Sequence, residues 1–159
     1  MKLIVAVDRN WGIGYKNRLL AHISPDLKRF RALTAGHPVL LGRRTLETFP
    51  GGKPLPGRRN LILSATAGCA PEGAEVYSSL DAALKAAPED TFVIGGESVY
   101  RALLPFCDTA YVTKILASFP ADAFFPNLDQ EPDWATAQTD AVMEYGDLQF
   151  QYVTYRKVK

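Results

Sequence analysis

Apolar positions along the chain come in short blocks, and the spacing within each block indicates the element it builds. Leu3–Val7, Val39–Leu41, Asn60–Leu63, Glu75–Tyr77, Thr91–Ile94 and Thr109–Ile115 read as strands. Several are continuous apolar runs, as expected where both faces of a sheet are covered. Between them Pro25–Ala35, Arg44–Phe49, Leu80–Ala87 and Ser98–Leu104 read as helices. Ser78, followed three residues later by Asp81, reads as a capping box for the third of these. Strand alternating with helix predicts an α/β fold with a mostly parallel sheet. The tail "GDLQFQYVTYRKV" has another period, setting Leu148, Phe150 and Tyr152 against Gln149, Gln151 and Val153. A period of two predicts antiparallel strands closing one edge. Ligands of such a sheet sit beyond the carboxyl ends of its strands.

Three stretches carry candidate chemistry. In "FVIGGESVY" an apolar strand meets a helix start with only Gly95 and Gly96 between them. Glycine lets a ligand reach the main chain, and a helix N-terminus favours an anion. Taken alone, the pair reads as a tight turn, and the six-residue Gly-x-Gly-x-x-Gly fingerprint is absent. In "PVLLGRRTLETF" a second strand runs into Gly42, then Arg43, Arg44 and Thr45. Guanidinium groups match phosphate geometry, and two arginines in a first helical turn oppose the helix dipole unless an anion supplies the missing charge. The two junctions could share one phosphorylated ligand.

In "ISPDLKRFRALTAG" Ser24 reads as the N-cap, Pro25 as the first helical residue and Gly36 as the end. At about 100° per residue, Phe30 and Leu33 fall within about 40° of Asp26, while Lys28 and Arg29 point elsewhere. The helix dipole accounts for an acid in a first turn. An aspartate on a buried face, however, needs a partner, and a cationic or amidine-like ligand would be one. The spacing leaves both explanations open.

Composition narrows the classes. A chain of 159 residues suits one domain with a sizeable core, and a net charge of +1 suggests no nucleic-acid surface. No apolar run approaches the roughly 18 residues of a membrane span, and the opening run, broken at Asp8, is too short for a signal peptide. Cys69 and Cys107 are isolated, as reduced thiols of a cytoplasmic protein would be, and His22 and His37 lie too far apart to suggest a metal site.

Taken in order, "WGIGYKNRLL", "SPDLKRFRALT", "PVLLGRRTLETF", "KPLPGRRNLILS", "FVIGGESVY", "YVTKI" and "DAFFP" resemble the dihydrofolate reductase family over nearly the whole chain. The resemblance implies a single three-layer domain over residues 1–159, with an eight-stranded, mostly parallel sheet, an antiparallel C-terminal edge and about four flanking helices. It implies an oxidoreductase that reduces 7,8-dihydrofolate to 5,6,7,8-tetrahydrofolate by hydride transfer from NADPH, supporting one-carbon metabolism and thymidylate synthesis. The implied partners are dihydrofolate and antifolate inhibitors, without nucleic acid or membrane, for a cytoplasmic monomer. A related NADPH-dependent pterin or pyrimidine reductase, or a catalytically silent nucleotide-binding module, is the alternative.

By the same resemblance Asp26, Thr113 and Leu19 form the catalytic set, Asp26 binding the pterin 2-amino and N3 positions with the Thr113 hydroxyl as its partner. Main-chain groups of Ile4 and Ile94 flank the pterin. Val5, Leu27, Phe30 and Phe49 form an apolar slot, and Arg58 clamps the glutamate α-carboxylate. Ala6, which also borders substrate, and Ile13 hold the nicotinamide carboxamide, with Gly14, Asn17 and Leu19 of the mobile loop nearby. Gly42, Arg43, Arg44, Thr45, Leu63, Ser64 and Ser78 serve the phosphate side of NADPH. Gly95, Gly96, Glu97, Ser98, Val99 and Tyr100 line its pyrophosphate and nicotinamide, Tyr100 meeting substrate as well. Gly95–Gly96 is a cis peptide in this family, so the cofactor lies against bare backbone. Asp26 sits too far from N5 to protonate it, which leaves that proton to solvent and gives Asp26 an electrostatic role.

Two departures stand out. The family's mobile loop usually reads Leu-Pro-Trp, where this chain has Leu19, Leu20 and Ala21. Many relatives carry two hydroxylated residues for the 2′-phosphate, where this chain has Ser64 and then Ala65. More of the NADPH preference then falls to Arg43.

Overall fold

The structure is a computed structural model that describes residues 1–65 and 71–158. In chain order the main elements are β1 (Lys2–Val7), β2 (Gly12–Gly14), α1 (Ser24–Thr34), β3 (Val39–Gly42), α2 (Arg43–Glu47), β4 (Asn60–Leu63), β5 (Ala74–Tyr77) and α3 (Leu80–Ala86). Then come β6 (Phe92–Gly95), α4 (Glu97–Leu103), β7 (Thr109–Ile115), β8 (Ala123–Phe124), β9 (Trp134–Thr139), β10 (Met143–Tyr145) and β11 (Leu148–Lys157). One nine-stranded sheet runs in the order β10-β11-β7-β1-β6-β3-β4-β5, with β9 also on β11, and β2 pairs with β8 in a separate ribbon. Every pairing from β7 across to β5 is parallel. β11 is antiparallel to all its neighbours, as the tail's period predicts.

Alternation along β1 sorts side chains onto two covered faces. Leu3, Val5 and Val7 pack with Leu40, Leu61, Val93 and Val112 under Ala83 of α3 and Leu103 of α4. Ile4 packs on the other face with Leu41, Ile62 and Ile94, under Phe30 and Leu33 of α1 and Leu46 of α2. Each fully buried Leu, Ile or Val contributes roughly 1.5–3 kcal/mol by leaving water, and these layers hold the helices in place.

Three local expectations are corrected. Val153, grouped with the glutamines, is as deeply buried as Tyr152. β11 is covered on both faces there, Tyr152 packing near Ile23 and Ile115 while Val153 joins the Leu3 layer. The cap of α3 is Ser79, not Ser78: its Oγ accepts from the Ala82 N–H at 3.1 Å. α1 begins at Ser24 itself, behind Ile23, without a side-chain cap. The Ser24 hydroxyl instead meets the Tyr145 hydroxyl at 3.0 Å. Cys107 is a buried free thiol, and Cys69 lies outside the described residues. Among the described residues no helix is long and apolar enough to cross a membrane.

Parallel strands bring their carboxyl ends to one edge of the sheet. Register places Thr113 beside Ala6, Gly42 beside Leu63 and Gly95 beside Leu41.

Candidate functional site

α1 lies across the Ile4 face on Phe30 and Leu33, so its first turn carries Asp26 over β7. There the Thr113 hydroxyl donates to Asp26 Oδ1 at 2.6 Å, joining residues 87 apart in sequence. Burial pushes the Asp26 carboxyl above its ordinary pKa, while the Thr113 hydrogen bond and the Arg29 charge oppose the rise. Arg29 itself corrects the helical-wheel reading. Its guanidinium does not point away but lies 3.9 Å from the centroid of the Tyr152 ring. A long flexible stem lets the charged head return to the face its Cα only borders.

Neighbouring groups fall into place around this pair. The Tyr100 hydroxyl, fully buried, donates to the Ile4 carbonyl at 2.6 Å and so orients the main chain of β1. Phe30, Phe49 and Ile94 share the apolar layer of Ile4, Leu27 is half-buried on α1, and Ala6 packs beside Tyr152. Val5 is not part of that slot. The two-residue period of β1 turns its side chain into the layer beneath α3 and α4. Arg58 reaches back to the end of α1: Nη1 donates to Thr34 Oγ1 at 3.0 Å and Nε to the Pro56 carbonyl at 3.0 Å. Burial and the charge of Arg31 hold its guanidinium below the ordinary arginine pKa.

On the opposite side the two glycine junctions meet. Gly95 has φ of 135°, a conformation that L side chains resist, and a Cβ there would stand 3.3 Å from Thr45 Oγ1. A Cβ on Gly42 would stand 3.1 Å from Val99 Cγ2. Gly95–Gly96 is a cis peptide, as the resemblance implies. Arg43 Nε donates to Ser64 Oγ at 3.2 Å, Arg44 is exposed, and no acid occupies the first turn of α2. Leu63 is half-buried, whereas Ser78 and Ser98 are exposed. Glu97 pairs with Arg101 at 3.5 Å. The side chains of Val99 and Tyr100 are buried in the core.

The loop after β2 is a tight hairpin. Tyr15 and Arg18 exchange main-chain hydrogen bonds at 3.0 Å around Lys16 and Asn17, both at positive φ. Asp122, which the sequence reading missed, holds this loop: its carboxylate accepts from the Lys16 N–H and its N–H donates to the Gly14 carbonyl, each at 3.0 Å. Ile13 packs against the core, and Leu19 is 67% exposed. Without proline and tryptophan after it, this stretch lacks a rigid bend and a bulky anchor, and Ala21 packs under Ile23 and Phe150 instead.

A site with one carboxylate held by a hydroxyl, a guanidinium at the far end of the same helix, and a cation-and-hydroxyl cluster beside bare glycine suits a flat heterocycle and a phosphorylated cofactor. The family model "Dihydrofolate reductase" matches residues 1–157. The chain belongs to the dihydrofolate reductase family. Dihydrofolate reductase of Bacillus subtilis (strain 168) is 35% identical over 161 residues, 99% of this chain and 94% of that protein. Dihydrofolate reductase type 3 of Salmonella typhimurium is 43% identical over 129 residues, covering 80% of this chain and 78% of that protein. Among solved structures, dihydrofolate reductase from Enterococcus faecalis complexed with NADP(H) and RAB-propyl superposes with a TM-score of 0.88 at 32% identity, over 99% of this chain and 96% of that one. The reaction of this dihydrofolate reductase family member is the reduction of dihydrofolate by NADPH.

Proposed function

We propose that the reaction is divided among the residues gathered here as follows. Asp26 binds the pterin ring of dihydrofolate, and the observation that carries this is the 2.6 Å hydrogen bond from Thr113 to its Oδ1. That bond fixes the carboxylate and leaves Oδ2 to accept the ring N–H and amino protons. Ile4, Ala6, Leu27, Phe30, Phe49 and Ile94 provide the walls, and Tyr100 keeps the Ile4 carbonyl aligned. Arg58 takes the α-carboxylate of the glutamate tail, an anion that also relieves its repulsion with Arg31.

NADPH supplies the hydride. Arg43 with Ser64, and Arg44 and Thr45 beside the glycines, fit its phosphate groups, because the cations open a helix whose first turn holds no acid. Ile13, Gly14, Asn17 and the main chain of Gly95–Tyr100 line the rest. With the two rings held face to face, the transfer is largely a matter of positioning. The charge of Asp26 favours protonation of the pterin at N5, the proton coming from solvent. The protein acts as a cytoplasmic monomer, folded as one domain, and binds antifolates where dihydrofolate binds.

Mixing the protein with NADPH and dihydrofolate tests this reading. The near-ultraviolet absorbance of NADPH should fall as tetrahydrofolate forms in equal amount; NADPH that persists with dihydrofolate present would overturn it.

A further inference from the structure

Arg29 follows Asp26 by three residues on α1, a spacing that makes the two side chains neighbours on the helix surface. Its guanidinium carbon lies 3.9 Å from the centroid of the Tyr152 ring on β11 and 5.8 Å from that of Tyr111 on β7. Nη1 is buried and has no hydrogen-bond partner among the described residues. A buried N–H normally recovers its lost hydration through a hydrogen bond, so hydrogen bonding at Nη1 does not explain the placement. Stacking and charge do. The polar and charged groups that act on Asp26 or its tyrosine neighbour are the Thr113 hydroxyl from β7, Tyr152 from β11, Arg29 from α1, and Asp140, which acts on Tyr152 from the turn after β9; Tyr111 of β7 lies alongside. Arg29 supplies the positive charge in this set.

Resting on the reductase reading, we propose that Arg29 is a positioning residue for the reaction: held over the Tyr152 ring three residues along α1 from Asp26, its guanidinium keeps that carboxylate charged beneath the substrate. The ring fixes where the charge sits, so its field reaches the carboxylate from a constant direction. The arginine does not compete with substrate for Asp26, because the direct hydrogen bond to the carboxylate comes from Thr113.

Two substitutions separate charge from packing. Arg29→Met keeps the stem and removes the charge; Arg29→Lys keeps the charge and loses the planar stack. Two readouts apply to each: carbon-13 NMR titration of the Asp26 carboxyl in the full chain without substrate, and the pH profile of single-turnover hydride transfer. Arg29→Met should move both midpoints to higher pH, and Arg29→Lys should return them toward wild type, with the KM for NADPH unchanged in both. An unmoved midpoint in Arg29→Met, or equal shifts in the two variants, would overturn the proposal. The titration needs no substrate, so the two readings fail separately. A wild-type protein without activity but with the stated titration shift overturns the reductase reading alone.

Discussion

The acid side of the site is built from single residues far apart in sequence, while the phosphate side is built from two short local runs, Gly42–Arg43–Arg44–Thr45 and Gly95–Gly96, that the fold sets against each other. Asp26 comes from α1 and Thr113 from β7, and the hydrogen bond between them is made within the fold. Arg43 and Arg44 follow Gly42 directly, and Arg43 meets the Ser64 hydroxyl. One side is therefore preorganised, its carboxylate desolvated and its geometry fixed. The other is a cluster of positive charge and removed bulk. Substitution of the buried carboxylate should cost turnover, and substitution of the cations affinity.

The sharpest way to break this comparison is Asp26→Asn, which keeps the shape and removes the charge. Turnover at neutral pH should fall about a hundred-fold or more, the scale of losing one preorganised electrostatic or acid–base group. Activity should partly recover at low pH, where solvent protonates the substrate without help. Steady-state rates across pH check this, and near-normal turnover at pH 7 would return Asp26 to a helix-dipole role.

Arg58→Leu tests whether the guanidinium at the far end of α1 binds ligand or is merely structural. A lost charge-assisted contact is worth roughly 1.5–3 kcal/mol, so dihydrofolate and methotrexate, which carry a glutamate tail, should weaken by about ten- to a hundred-fold. Trimethoprim, which has no such tail, should bind nearly as before. Titrations with both inhibitors decide it, since parallel weakening would mean that Thr34 and Pro56 are the partners that matter.

On the phosphate side, Arg43→Ala should raise the KM for NADPH about ten-fold and leave kcat close to wild type. NADH kinetics should hardly change, because NADH lacks the 2′-phosphate. Equal losses with both cofactors would show that the bond to Ser64 is a structural one.

The same contrast explains how much could be read from sequence. Gly42–Arg43–Arg44 and Gly95–Gly96 are local, and their misfit with ordinary helix starts is visible in a few letters. The partnership of Asp26 with Thr113 spans 87 residues and needs the register of β7 on β1, so only family resemblance pointed to it. Arg29 was misread for a related reason: a helical wheel locates a Cα, not the end of a long side chain lying on a tyrosine from another strand. The strands escaped where burial was lopsided. Phe92–Gly95 announces itself by four buried residues, whereas β9 buries Trp134 and exposes the rest. Asp122 opens the "DAFFP" stretch, but nothing local showed its role, because its partners are main-chain groups of a loop.

The smallest expected effect concerns the cost of preorganisation. Burial raises the Asp26 pKa in the folded chain above its unfolded value, even with Thr113 and Arg29 opposing. For a carboxyl shifted upward, the favourable contribution to stability is fully present below the unfolded pKa of about 3.9 and is lost as pH rises through the folded value. At neutral pH the ionised group therefore weighs against folding, and Asp26→Asn should melt above wild type. The gap should close on acidification, as the wild-type carboxyl takes up its proton in both states. Calorimetry at neutral and mildly acid pH reads this directly, each 1 kcal/mol appearing as about 2–4 °C in a chain of this size. A variant that melts below wild type at neutral pH would mean that the Thr113 hydrogen bond and the Arg29 charge outweigh burial. The carboxylate would then be a stabilising partner in its fold and not a group kept charged at the expense of stability.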